Sequence, residues 1–348
     1  MPRFSANLSM LFGEHDFLDR FDAAARAGFK GVEYIGPYDH SPDVVAARLK
    51  KNGLTQVLFN LPAGDWGKGE RGIAVLPDRV PEFRQGVAKA ITYAQALGCE
   101  QVNCLAGIAP QGVERSVLED VFAENLAFAA EKLELAGIRL LIEPINTRDI
   151  PGFFLNYSDQ ALALIDRVGS KNLFLQYDIY HMQIMEGDLA RTIEANLDRI
   201  AHIQLADNPG RHEPGTGEIN FPFLYSHIDR IGYSGWVGAE YKPKGGTEAG
   251  LGWFREFAGQ ARGGREGTRP QQGNTKENIN GHHRLHRPRH HGRANGGASA
   301  RRRLHRRRQP PSLETAGRSR RQGSKNRLRP SRRGTCRRHR HHHGSRHA

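Results

Sequence analysis

Short apolar runs alternate with amphipathic stretches along the first 262 residues. The runs predict strands at 3–8 (RFSANL), 31–35 (GVEYI), 54–60 (LTQVLFN) and 101–105 (QVNCL). Four more are predicted at 138–143 (IRLLIE), 173–178 (LFLQYD), 201–206 (AHIQLA) and 235–240 (GWVGAE). Apolar positions at helical spacing predict helices over 15–28, 41–53, 80–98, 116–137, 158–169 and 189–200. Most of these stretches stop at a Gly, such as Gly28, Gly53 and Gly98, the residue that ends helices most readily. Eight strands alternating with helices over about 250 residues predict an α/β protein of the (β/α)8 TIM-barrel type. A doubly wound open sheet is the alternative. No GxGxxG follows the first strand, which counts against a dinucleotide-binding version of it.

In such barrels the chemistry sits at the C-terminal ends of the strands. Those ends carry Asn7, Glu33, Asn60, Glu143, Asp178, Gln204 and Glu240. Glu143, Asp178, Gln204 and Glu240 come from four consecutive strands, and all offer oxygen. That donor set suits a hard divalent cation such as Mg2+ or Mn2+. Taken singly, each is as well explained as a helix cap or a solvated rim residue; Asp178 could simply open the turn in YDIYHM. Two Glu ligands also suit proton transfer. One carboxylate can remove a proton beside a carbonyl and the other can return one to the neighbouring carbon, as in an aldose–ketose isomerisation.

Substrate contacts are expected from Asn7, Asn60 and His181, which lies three residues after Asp178. Two loops add to them. LPAGDWGKGERGIA (61–74) holds Trp66 and Arg71, and an Arg there could clamp a carboxylate with both nitrogens. ADNPGRHEPGTGEI (206–219) holds Asp207, Arg211 and Glu213, and Lys242 follows Glu240 by two residues. His202 shares the parity of Gln204 but sits deeper, as a core or supporting residue. The bland readings are flexible surface loops and a rim lysine.

Charge divides the chain. Of 348 residues, 51 are Lys or Arg and 37 Asp or Glu, a net +14. Residues 263–348 alone carry a net +22, with 11 of the 17 His and no Phe, Trp or Tyr, so residues 1–262 are net −8. The basic stretch lacks the apolar surface to offset the entropy of ordering, and it is expected to be a disordered tail. The domains are thus a barrel over 1–260 and a basic tail over 261–348. Three cysteines (Cys99, Cys104, Cys336) make neither a disulfide framework nor a zinc site. No run reaches the roughly 20 apolar residues of a membrane span, and the N-terminus lacks a secretion-signal pattern. A cytoplasmic protein with reduced thiols is expected. Apolar helix faces are compatible with a homo-oligomer and equally with the barrel's own outer layer.

RFSANLSMLFGEHDFLDRF, NLPAGDWGKGERGIA, LIEPIN, QYDIYHMQIMEGD, HIQLADNPGRHEPGTGEIN and GWVGAEYKP…TEAGLGWF closely resemble the hydroxypyruvate isomerase family, one of the xylose isomerase-like barrels. The resemblance covers about residues 1–257. It implies interconversion of hydroxypyruvate and 2-hydroxy-3-oxopropanoate (tartronate semialdehyde). It also implies that Glu143 and Glu240 are the catalytic glutamates, and that Glu143, Asp178, Gln204 and Glu240 are the metal ligands. Gln204 stands where many relatives have His, so the ligand there is a neutral amide oxygen. A sister group acts on four-carbon 2-oxo acids (2-dehydrotetronate), and sugar epimerases share the barrel. The partner is then a small 2-oxo or hydroxy acid, with no nucleic acid for the barrel and no membrane. From other classes, an endonuclease-like or nucleic-acid-binding barrel fits the fold but not the negative charge. A sugar-acid sensor would keep the pocket without needing two Glu ligands.

The basic tail matches nothing in that family. An Arg-rich nucleic-acid-binding arm is one reading. The genetic code offers another. Read one base later, Asn280 to Gly292 can encode M-A-I-I-G-F-I-G-L-G-I-M-G, a start codon, a strand and a GxGxxG turn. Lys276-Glu277 can be AAGGAG, which resembles a ribosome-binding site, and Arg338 to Arg346 can shift to the strand-like A-I-V-I-I-M-V-P. The tail therefore reads as out-of-frame translation into a neighbouring gene, whose product resembles a β-hydroxyacid dehydrogenase. Sequencing the DNA across codons 255–285 is expected to show that shifted frame continuing open. A stop codon in it would end this reading.

Overall fold

The computed structural model describes residues 2–263. Eight parallel strands close into a barrel in sequence order: β1 Arg3–Asn7, β2 Gly31–Tyr34, β3 Thr55–Asn60, β4 Gln101–Cys104, β5 Arg139–Ile142, β6 Leu173–Asp178, β7 Ile200–Leu205 and β8 Trp236–Ala239. β8 returns to pair with β1, Ala239 opposite Ala6. Closure leaves no sheet edge. The helices are α1 Phe17–Ala27, α2 Pro42–Asn52, α3 Val80–Leu97, α4 Arg115–Leu135, α5 Ser158–Val168, α6 Ile179–Met185, α7 Leu189–Ala195, α8 Phe221–Arg230 and α9 Gly252–Gly263.

Every predicted strand is present, within a residue or so at its ends. The helices are less regular than the periodicity suggests. α6, α8 and α9 were not among the predicted helices, and the helix expected over 189–200 stops at Ala195. Ile200 fits the helical period, but its place in the β7 ladder beside Leu175 prevails. α6 is only seven residues long and has no polar face to give a period. Gly28 and Gly53 end α1 and α2 in the left-handed conformation, and each returns its N–H to the last turn.

One large apolar core lies between strands and helices. Phe29 stacks on Phe254 at 4.1 Å, which ties α9 to the entrance of β2. Two irregularities bear on the site. Register shifts fall between Val32 and Glu33 against β3, and between Leu175 and Gln176 against β7. Such bulges re-aim the side chains that follow, and Glu33 and Gln176 both feed the polar layer described below. Cys99 and Cys104 are buried free thiols, and burial pushes Cys99 up to about 12. Among the described residues no helix is long and apolar enough to cross a membrane. The basic tail, its shifted-frame reading and Cys336 lie outside the described residues.

Candidate active site

The strands deliver a buried polar layer at their C-terminal ends. Glu143 directly follows β5, Asp178 ends β6, Gln204 lies near the end of β7, and Glu240 directly follows β8. Glu143, Asp178, His181 and Glu240 each place a ligand atom within 4.8 Å of the others. All four are buried. Asp178 serves twice. Its Oδ1 accepts from the Tyr180 N–H (2.7 Å) and caps α6, as the helix-cap reading of Asp178 expects. Its Oδ2 is buried without a hydrogen bond. A buried oxygen left without a partner is costly unless something else occupies it.

Charge explains the rest of the arrangement. Burial, then Glu240 and Asp178, raise the Glu143 carboxyl well above the usual range. Burial raises Glu240 to about 8, with Asp178 and Glu33 adding to the rise and Arg211 opposing it. Asp178 is also raised, chiefly by burial. Like charges gathered in a low-dielectric site favour protons or a cation over bare carboxylates. Arg211 supplies part of the answer. Its guanidinium lies 2.8 Å from Glu240, 3.7 Å from Asp149 and 3.9 Å from Asp178, over the Tyr180 ring. Burial alone would lower its pKa, but Glu240, Asp178, Glu143 and Asp149 outweigh that and hold it charged. One guanidinium does not balance three carboxylates. An oxygen-rich, partly unsatisfied, negative cluster fits a divalent cation.

Asn7 donates to Glu240 (3.0 Å), and Asn103 to both Glu143 (3.0 Å) and Asn60 (3.3 Å). Gln204 accepts from Gln176 (2.7 Å) and donates to Glu33 (2.8 Å). Glu33 also accepts from Ser5 (2.7 Å), and His202 Nε2 lies 2.9 Å from it. Burial would raise Glu33; His202, Gln204 and Ser5 outweigh it and hold the carboxyl below its usual value. Burial, reinforced by Arg211, keeps His181 well below the usual imidazole range.

The structure thus brings Asn7, Glu143, Asp178, His181, Arg211 and Glu240 together, with Asn60 attached through Asn103 and Gln204 through Glu33. His202 takes the supporting position expected of it. Trp66, Arg71 and Lys242 are not joined to the cluster by any side-chain hydrogen bond or ion pair. Arg71 lies 4.0 Å under the half-exposed Trp66 ring and bonds the Trp66 and Glu70 carbonyls. Trp66 also walls a cavity of about 660 Å³ with Tyr38, His40 and Lys89. Lys242 is exposed, and its backbone N–H donates to the Arg211 carbonyl (2.7 Å). A second cavity of about 430 Å³, lined by Arg3, Gln56, Arg139 and Trp236, opens at the starting ends of the strands, away from the carboxylates.

Sequence reasoning missed Asn103 and Asn146. It named Glu33 without giving it a role, and it placed Asp207 only as a residue of the 206–219 loop. Asp207 organises the Arg211 loop. Its buried carboxylate accepts backbone N–H groups of Asn208 (3.0 Å), Gly215 (2.9 Å), Gly217 (2.9 Å) and Ile219 (3.1 Å). Arg211 itself sits at φ 54, a conformation that needs such bracing.

The sequence profile described as "Xylose isomerase-like TIM barrel" matches residues 21–257. The chain belongs to this family. Within the xylose isomerase-like barrels it is 56% identical over 257 residues to "Hydroxypyruvate isomerase" of Escherichia coli, covering 74% of this chain and 100% of that protein. It is 49% identical over 260 residues to "2-oxo-tetronate isomerase" of Cupriavidus necator, covering 75% and 100%. The crystal structure of an "AP endonuclease, family 2" from Brucella melitensis superposes with a TM-score of 0.72 at 50% identity, covering 74% of this chain and 99% of that one.

Asp207→Asn turns an NH2 toward N–H groups that the carboxylate accepted. It is expected to lower stability by about 2–3 kcal/mol, the worth of a charge-assisted hydrogen bond, and to speed amide exchange across 208–219. Mass-spectrometric hydrogen exchange reads this. Unchanged exchange would show that Asp207 does not hold the loop.

Proposed function

We propose that the protein is a metal-assisted isomerase that interconverts hydroxypyruvate and 2-hydroxy-3-oxopropanoate. The observation that carries this reading is the pair of buried carboxylates, Glu143 and Glu240, within 4.8 Å of each other through their nearest donor atoms. The relative named for this activity, at 56% identity along its whole length, supports it. In our reading one of the two glutamates takes a proton from C3 and the other delivers one to C2, while a hydroxyl proton passes from O3 to O2. The two must then start in opposite protonation states. Their unequal surroundings favour this, since Arg211 and Asn7 bond Glu240 whereas Asn103 bonds Glu143.

Glu143, Asp178, Gln204 and Glu240 would hold Mg2+ or Mn2+. Such an ion supplies Lewis-acid stabilisation of the charge that develops on the substrate oxygens. Asn7, Asn60, His181 and Arg211 bind substrate polar groups in this reading, with Trp66, Arg71 and Lys242 at the rim. The acidic barrel, net −8 over residues 1–262, speaks against a nucleic-acid substrate. We assign the protein to the cytoplasm, in keeping with Cys99 and Cys104 as buried free thiols. The four-carbon 2-dehydrotetronate is the second reading, favoured by the Cupriavidus necator relative.

NMR of the full chain with hydroxypyruvate in D2O tests this. Mg2+-dependent formation of 2-hydroxy-3-oxopropanoate with deuterium at C2 is expected. Glu143→Gln and Glu240→Gln should each lower kcat by about 10²–10⁴-fold, the worth of an acid or base. Turnover of 2-dehydrotetronate alone would move the assignment to four carbons. No turnover of either acid, with Mg2+ bound, would overturn it.

A further inference from the structure

His181 stands among the carboxylates as if it were a fourth donor to a cation. Its other ring nitrogen says otherwise. His181 Nδ1 lies 2.6 Å from Asn146 Nδ2, and the Asn146 backbone N–H points at the same atom from 3.4 Å. The Asn146 amide cannot be reversed. Its Oδ1 accepts the backbone N–H groups of Arg148 (3.0 Å) and Asp149 (2.7 Å), and its Nδ2 also donates to the Asp149 carboxylate (3.3 Å). Reversal would set an NH2 against two N–H groups and an oxygen against a carboxylate. Two N–H donors therefore face Nδ1. Turning the ring over would put a carbon there, and a proton on Nδ1 would collide with both.

We propose that Asn146 is a positioning residue that fixes His181 as the Nε2–H tautomer, which makes His181 a hydrogen-bond donor to a substrate oxygen and not a metal ligand. The Nε2–H lies 3.5 Å from Asp178 Oδ2 and 3.9 Å from Glu143 Oε1, beyond ordinary hydrogen-bond length to either, so this donor is open to an acceptor within the cluster. A cation needs a lone pair. The only one on this ring is on Nδ1, already taken by Asn146, and binding through Nε2 would require the proton to move to the side that Asn146 blocks. A neutral N–H suits a ketone or hydroxyl oxygen. The donor role rests on the isomerase reading; the tautomer does not.

The test is nitrogen NMR of the full chain carrying 15N-histidine, without substrate, with His181→Gln identifying the resonances. The expected spectrum has a pyrrole-like Nε2 and a pyridine-like Nδ1, and it keeps that pattern at saturating Mg2+. Asn146→Asp offers Nδ1 an acceptor, so it should exchange the two signatures and lower kcat by up to about 100-fold, the scale on which a misplaced substrate contact slows an enzyme. A proton on Nδ1 in the unaltered protein, or a His181 nitrogen that becomes a ligand when Mg2+ binds, would overturn the proposal. So would an Asn146→Asp protein with the original tautomer. Because these readouts need no turnover, an inactive protein that shows the expected spectrum would reject the isomerase reading and leave the tautomer assignment standing.

Discussion

Crowded negative charge in a water-poor barrel mouth governs this structure. Glu33, Glu143, Asp178 and Glu240 are all buried, and three of them are pushed upward toward their protonated forms. Burying a carboxylate without a partner costs several kcal/mol. The barrel answers with groups of two kinds. Asn7, Asn103, Ser5 and Gln204 donate hydrogen bonds, and Arg211 and His202 lie against carboxylates at 2.8 and 2.9 Å. What remains is a negative deficit around Asp178 Oδ2 and the two glutamates, the place where a cation and a charged substrate intermediate would be stabilised.

Support for this layer comes from backbone devices that are remote in sequence. Asp207 gathers four N–H groups of its own loop, and that loop carries Arg211 to Glu240. Asn146 performs the same service on the turn after β5, where its amide is held by two backbone groups and faces His181. Glu33 underlies both Asn7 and Gln204. At Gly238 an added Cβ would come within 2.3 Å of the Glu33 carboxylate, so β8 leaves space for it. Each case follows the same logic, in which an acceptor-only or orientation-locked group dictates which way its neighbour points.

The barrel was legible because buried parallel strands read as apolar runs between Gly-punctuated helices. The rule that chemistry lies at strand ends then reached Glu143, Asp178, Gln204 and Glu240, since each stands at or beside its strand's last residue. Asn103 escaped because QVNCL reads as a strand to Leu105, whereas β4 ends at Cys104 and places Asn103 near its tip. Asn146 escaped because its role depends on a turn that closes on its own side chain, and EPIN carries no periodic signal. α6 was hidden for a similar reason: its start is defined by Asp178, which the pattern assigns to the strand. Trp66, Arg71 and Lys242 show the converse. Loop position is readable, but which face a loop presents is set by contacts such as Glu70 with Arg79 at 2.8 Å.

The central claim is that protons hold the place of a cation among these carboxylates. Titration calorimetry with Mg2+ in buffers of different ionisation enthalpy measures it most directly, because the imidazoles of the basic tail bind that ion poorly. Glu143, Asp178 and Glu240, the last raised to about 8, share protons at neutral pH, and a cation displaces part of that load while one glutamate keeps the proton it delivers. The account predicts proton release on Mg2+ binding near neutral pH that shrinks as pH rises past that value, and binding that is lost in Glu143→Gln. Mg2+ binding near neutral pH with no proton release, or binding indifferent to Glu143, would contradict it.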